Sequence, residues 1–188
     1  TDDWVTDIQD AAVGSKFALA AGEYTLTSAK LQINNNVTIA AQNSGNLPVI
    51  NTCIHINNGS SLYLYQVVMD GTGTDGSQAI EYKTAGGFGD LIISGSEIRN
   101  YVKGLIYINV AAVANTIKIE NSIIHDIECS GGDFIDSRSG GWNNLIISSS
   151  TFYSCSAKRD ILRADDASSK VSASMITSID KCTFSCRN

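Results

Sequence analysis

Four stretches of this chain can be written in register: Leu91-Ile-Ile-Ser-Gly-Ser-Glu-Ile98, Ile117-Lys-Ile-Glu-Asn-Ser-Ile-Ile124, Leu145-Ile-Ile-Ser-Ser-Ser-Thr-Phe152 and Thr177-Ser-Ile-Asp-Lys-Cys-Thr-Phe184. Each begins with alternating apolar residues and then places a small residue at Ser96, Ser122, Ser150 or Cys182. A short β-rich motif recurring at such regular intervals marks a solenoid, in which every repeat stacks on its neighbours. Upstream, Leu62-Tyr-Leu-Tyr65 stands one similar interval before Leu91, and Val37-Thr-Ile39 one interval before Leu62. Six rungs at the strand spacing of ~4.8 Å make a stack ~29 Å long.

The period within a rung is two rather than 3.6, so the units are strands. Ile93, Ile119, Ile147 and Ile179 align, as do Ile98, Ile124, Phe152 and Phe184, and both sets are expected to face one interior. The pattern and helix of leucine-rich repeats are not visible. An antiparallel sandwich would show hairpin turns and no register-true repeat. The predicted fold class is therefore all-β, a single-stranded parallel β-helix. Hydrophobic content of 43% over 188 residues supplies one continuous core, and a single proline leaves no linker. One domain over residues 1–188 is expected.

The amino terminus has a different period. Trp4, Val5, Ile8 and Ala12 follow polar residues at an amphipathic spacing, which predicts a capping helix over about residues 3–12. Such a helix covers strand ends that would otherwise pair with other chains. Residues 16–26 read as a first strand pair turning at Gly22. The chain stops at Asn188 in mid-repeat with no cap visible in the sequence, so the expectation is either a truncated carboxyl end, with room for a further domain there, or another element that covers it.

The segments WVTDIQDAA, KFALAAGEYTL and LQINNNVTIAA resemble the opening of pectin-lyase-like right-handed β-helices. The segments DFIDSRSG, SSSTFYSC, RDILRADD and DKCTFSC resemble one branch of that superfamily. That branch comprises β-helix domains on surface lipoproteins of Bacteroidota, encoded in polysaccharide-utilisation loci. The resemblance implies a right-handed helix and an extracellular or outer-membrane location. It carries over no catalytic residue.

A surface site can be assembled from the second strand of each rung. Ile80-Glu-Tyr-Lys83, Ile106-Tyr-Ile-Asn109, Ile135-Asp-Ser-Arg138 and Leu162-Arg-Ala-Asp165 recur at intervals close to those of the first strand. Alternation sends Ile80, Ile106, Ile135 and Leu162 inward, together with Tyr82, Ile108, Ser137 and Ala164. Two outward columns remain: Glu81, Tyr107, Asp136 and Arg163, and Lys83, Asn109, Arg138 and Asp165. Asp136 beside Arg163 and Arg138 beside Asp165 read equally well as cross-strand ladder pairs. A ligand-binding patch of Tyr107, Asp136, Arg138, Arg163 and Asp165, with Asn109 and Glu81 at its edge, suits a sugar chain. Arginine grips a carboxylate bidentately, and a tyrosine face covers the apolar side of a sugar ring.

No catalytic residue, metal site or cofactor is expected. Asp136 and Asp165 have arginine neighbours, which keep a carboxylate ionised and unfit as a general acid. Asp133 and Asp160 stack one interval apart with Asp166 nearby, but interleaved arginines make a poor calcium cage. His125 falls in a column with Arg99 and Tyr153 and reads as a solvated turn residue, far in rung order from His55. Five cysteines show no zinc spacing, and Cys155 and Cys186 fall on adjacent rungs where a disulfide could form. A net charge of −6 argues against nucleic acid as a partner, and no apolar run is long enough for membrane insertion. The expected function is binding of a polysaccharide, with uronate-containing chains as candidates, and no cleavage. A polysaccharide lyase and a structural spacer are the rivals.

Overall fold

The computed structural model describes residues 3–26, 29–74, 76–108, 111–137, 140–164 and 175–186. The chain forms a parallel β-solenoid whose strands return in turn to three sheets. The first sheet stacks Ser15–Leu19, Val37–Ala41, Leu62–Tyr65, Gly86–Ser94, Ala112–Glu120, Gly141–Ser148 and Ile176–Asp180. The second runs through Glu23–Thr25, Val49–Asn51, Val68–Asp70, Glu97–Arg99, Ile123–His125, Thr151–Ala157 and Thr183–Cys186. The third stacks Leu31–Ile33, Ile54–Ile56, Ile80–Tyr82, Ile106–Ile108, Ile135–Ser137 and Leu162–Ala164.

The register agrees with the sequence intervals. Leu91 lies opposite Leu62 and Ile117, Ile117 opposite Leu145, and Leu145 opposite Thr177. Inward residues of each sheet form a column. Ile39, Leu64, Ile93, Ile119 and Ile147 are buried in the first, and Ile50, Met69, Ile98, Ile124 and Phe152 in the second. Ile179 and Phe184 keep the register but are 50% and 44% exposed. They stand on strands that have a described partner on one side only, so the columns of the first two sheets lose their cover there. Ala164, on the outermost strand of the third sheet, is exposed for the same reason.

The stacked small residues form a hydrogen-bonded ladder. Val67 N–H donates to Ser96 Oγ, Ser96 N–H to Ser122 Oγ and Ser122 N–H to Ser150 Oγ, each at 3.2 Å. Each hydroxyl in turn donates to the carbonyl two positions before it, at Ser94, Glu120 or Ser148. The residue just ahead of the ladder position takes positive φ in five rungs: Gln66, Gly95, Asn121, Ser149 and Lys181. This left-handed residue turns the chain from the first sheet into the second. It costs non-glycine residues energy, which the ladder bonds and paired strands on both sides offset.

The capping helix is Asp3–Gln9, shorter than expected. Ile8 is buried and Trp4 and Val5 pack against the core beside Leu31–Ile33. The chain leaves helical geometry after Gln9, so Ala11 is buried and Ala12 is exposed.

Candidate functional site

The third sheet carries the predicted outward column. Glu81, Tyr107, Asp136 and Arg163 are successive strand partners, so all four lie on the same face. The column also extends upstream. His55 pairs with Glu81 and Gln32 with His55. His55 precedes Glu81 by the same interval that separates Glu81 from Tyr107, so the repeat would have found it. Lys83 lies beside Glu81, while Asn109, Arg138 and Asp165, the rest of the second column, lie outside the described residues.

The upstream half is a charge cluster. His55 Nε2 lies 2.8 Å from Glu81 Oε2, and Gln32 Nε2 lies 3.3 Å from His55 Nδ1. Lys30 and Lys83 approach the same carboxylate at 3.7 and 3.5 Å. Glu81 is outward in the alternation yet only 6% exposed, because these side chains cover it. Burial pushes its carboxyl up, but His55, Lys83 and Lys30 outweigh that effect and hold it below the ordinary carboxylate range. Glu81 is thus a structural anion, the opposite of what a general acid needs.

The downstream half opens into a cleft of about 310 Å³ lined by Gln78, Lys103, Tyr107, Ser130–Gly132, Asp133 and Asp136. It lies at the approach to the strands, upstream of the second predicted column. Gln78 stands two positions ahead of Ile80, Asp133 two ahead of Ile135, and Lys103 three ahead of Ile106. Carrying the strand register a little toward the amino terminus would have gathered these side chains.

Asp133 forms a wall of the cleft. Its side chain is wholly buried; Oδ2 accepts from Arg159 at 2.9 Å and Arg163 at 3.5 Å. Its Oδ1 accepts the Asp160 N–H at 3.1 Å. The stacking of Asp133 and Asp160 on adjacent rungs is therefore real, but it joins a carboxylate to a backbone donor and is not a pair of carboxylates. Arg163 extends across the strand approach to Asp133, whereas the ladder expectation aimed it at its strand partner Asp136. Asp136 is buried at 4% exposure and Tyr107 is half-buried. Gly104 lets the turns close behind this wall. Its φ is +123°, and a Cβ there would sit 2.9 Å from the Asp133 carbonyl oxygen.

The second sheet holds a separate cluster. Arg99 donates to Asp70 at 2.8 Å and to Glu97 at 2.6 Å. His125 lies between Glu97, 3.0 Å from Nε2, and Asp126, 2.7 Å from Nδ1. Its ring stacks on Tyr153 with centroids 4.6 Å apart. His125 does share the column of Arg99 and Tyr153, but it is a well-packed strand residue and not a solvated turn residue. Burial pushes the Asp70 carboxyl up, and hydrogen bonds from Asn100, Thr72 and Arg99 override it, holding the carboxyl at about 2. Among the described residues no group of three or more His, Cys, Asp or Glu is placed to share a metal ion. No described helix is long and apolar enough to cross a membrane. Cys155 and Cys186 are strand partners, as their spacing suggested.

Residues 22–155 match a family described as Domain of unknown function (DUF4957). The chain belongs to the DUF4957 family. No curated protein matches it. The DUF4957 segment contains Glu81, Tyr107, Asp136 and every residue lining the cleft, whereas Arg159 and Arg163 lie beyond it.

Proposed function

We propose that this member of the DUF4957 family binds a polysaccharide at the cleft on its third sheet, without cleaving it, as a module displayed outside the cell. The observation that carries this reading is the composition of the cleft. One aromatic ring, Tyr107, shares it with the amide of Gln78, the hydroxyl of Ser130 and the ammonium of Lys103, while the carboxylates of Asp133 and Asp136 lie buried in its wall. A sugar unit needs that combination, with an apolar face for its ring and convergent polar groups for its hydroxyls. The resemblance to β-helix domains of polysaccharide-utilisation loci supports the substrate class and the surface location. The absence of cleavage is supported by the charges. Glu81 is held in its anionic form by its neighbours, and Asp133 is clamped by two guanidiniums.

The test is a glycan array, followed by an ultraviolet absorbance assay for unsaturated uronates with every acidic glycan that binds. Binding without new absorbance supports the module. New unsaturated product would replace it with a lyase, and silence on the array would leave the structural spacer. Tyr107→Ala should remove most of the binding with little effect on melting temperature, and Asp136→Asn should weaken it. An Asp136→Asn protein that binds as tightly as wild type removes that residue from the site.

A further inference from the structure

Resting on that reading, we infer that Lys103 is the residue through which the cleft selects a sugar unit carrying an anionic group, a carboxylate or a sulfate ester. The cations around the third sheet are mostly committed. Lys30 and Lys83 face Glu81, and Arg159 and Arg163 face Asp133. Among the described residues that line the cleft, Lys103 is the one cation, and its ammonium makes no ion pair or hydrogen bond with the others. Its side chain is exposed at the mouth.

This difference in commitment decides which cation can read a ligand. An exposed ammonium offers three donors to an incoming anion, and it breaks no internal bond in doing so. Arg163 would have to withdraw from a carboxylate that is completely buried, leaving Arg159 as the one described cation on that charge, so reading a ligand would cost it an internal contact. The guanidiniums of Arg159 and Arg163 offset the charge of Asp133, so an acidic ligand does not meet that carboxylate uncompensated. The cleft volume of about 310 Å³ is at the small end of ligand sites, suiting one sugar unit and one anionic group. Tyr107 would take the ring face and Gln78 the hydroxyls, leaving Lys103 to recognise the charge.

The experiment is titration calorimetry at low salt with polygalacturonate, its carboxyl-reduced form and a sulfated galactan. The proteins are wild type, Lys103→Ala and Lys83→Ala. An acidic polymer should bind wild type more tightly than the reduced form, and whichever acid binds identifies carboxylate or sulfate as the group read. Lys103→Ala should weaken that acidic polymer roughly three- to fivefold, the scale of one exposed ion pair, and flatten its salt dependence. It should leave any binding of the reduced form unchanged. Lys83→Ala, whose ammonium already faces Glu81, should leave the acid preference in place. Equal affinity of wild type for acidic and reduced polymers overturns the inference and leaves the polysaccharide reading standing. So does a Lys103→Ala protein with wild-type affinity and salt slope. A wild-type protein that binds neither acidic polymer also overturns the inference, whereas the polysaccharide reading falls only with silence on the glycan array.

Discussion

The serine ladder provides a quantitative test of how this solenoid is held in register. Consider Ser122→Ala. The hydroxyl donates to the Glu120 carbonyl at 2.7 Å and accepts the Ser96 N–H at 3.2 Å. The carbonyl keeps a partner, because Gly95 N–H also donates to it at 3.1 Å. The Ser96 N–H has no second acceptor among the described contacts, and Ser96 is 4% exposed. A buried donor left unsatisfied costs about 1–3 kcal/mol, so the substitution should destabilise the fold by roughly 1.5–3 kcal/mol. For a chain of this size that corresponds to a fall in Tm of roughly 3–12 °C. Urea unfolding followed by far-UV circular dichroism measures it, and an unchanged m-value shows that the native and unfolded states are comparable. Ser122→Cys is the control. Cys182 already occupies this position in the last described rung, with Sγ 3.3 Å from the Asp180 carbonyl, so the thiol should recover part of the loss. A loss below about 0.5 kcal/mol for Ser122→Ala would show that the ladder bonds do not hold the register. The serines would then be small fillers, and the turn would hold its shape without them.

Other consequences follow from the same contacts. Ile119→Ala empties a fully buried position between two fixed rungs and should cost roughly 2–5 kcal/mol, whereas Ile179→Ala, half exposed in the same column, should cost under about 1 kcal/mol. Chemical denaturation of both variants checks this; equal losses would contradict the exposure difference. Gly104→Ala needs a strained φ and a displaced Asp133 carbonyl, so it should destabilise the fold by at least ~1 kcal/mol and weaken glycan binding through the cleft wall. Unaltered binding and stability would mean that the wall shifts freely. For Asp70 the folded carboxyl lies at about 2 against 3.8 for the ordinary group. Its stabilisation is thus fully present above about pH 4 and is lost as pH falls toward about 2, a change of roughly 1–2 kcal/mol. Asp70→Asn should remove that part of the pH dependence, and an unchanged acid limb in the variant would refute it.

The solenoid, the register of its rungs and the faces of its strands are legible in the order of amino acids alone. These follow from two local rules. Successive strand residues point to opposite sides, and an in-register parallel stack places residues one period apart as neighbours. Both rules act on the backbone, so counting along the chain is enough to place Ile93 over Ile119 and Glu81 beside Tyr107. Which outward side chains are available depends on packing between rungs. Glu81 and Asp136 point outward but are covered, and Arg163 reaches Asp133 although Asp136 is its strand partner. The cleft lies ahead of the strands, among Gln78, Lys103 and residues 130–133. The physical reason is reach: a guanidinium or ammonium ends several ångströms from its Cα, and the connecting segments differ in length from turn to turn. Periodicity fixes where each Cα stands, while packing and charge select the partner each long side chain finds.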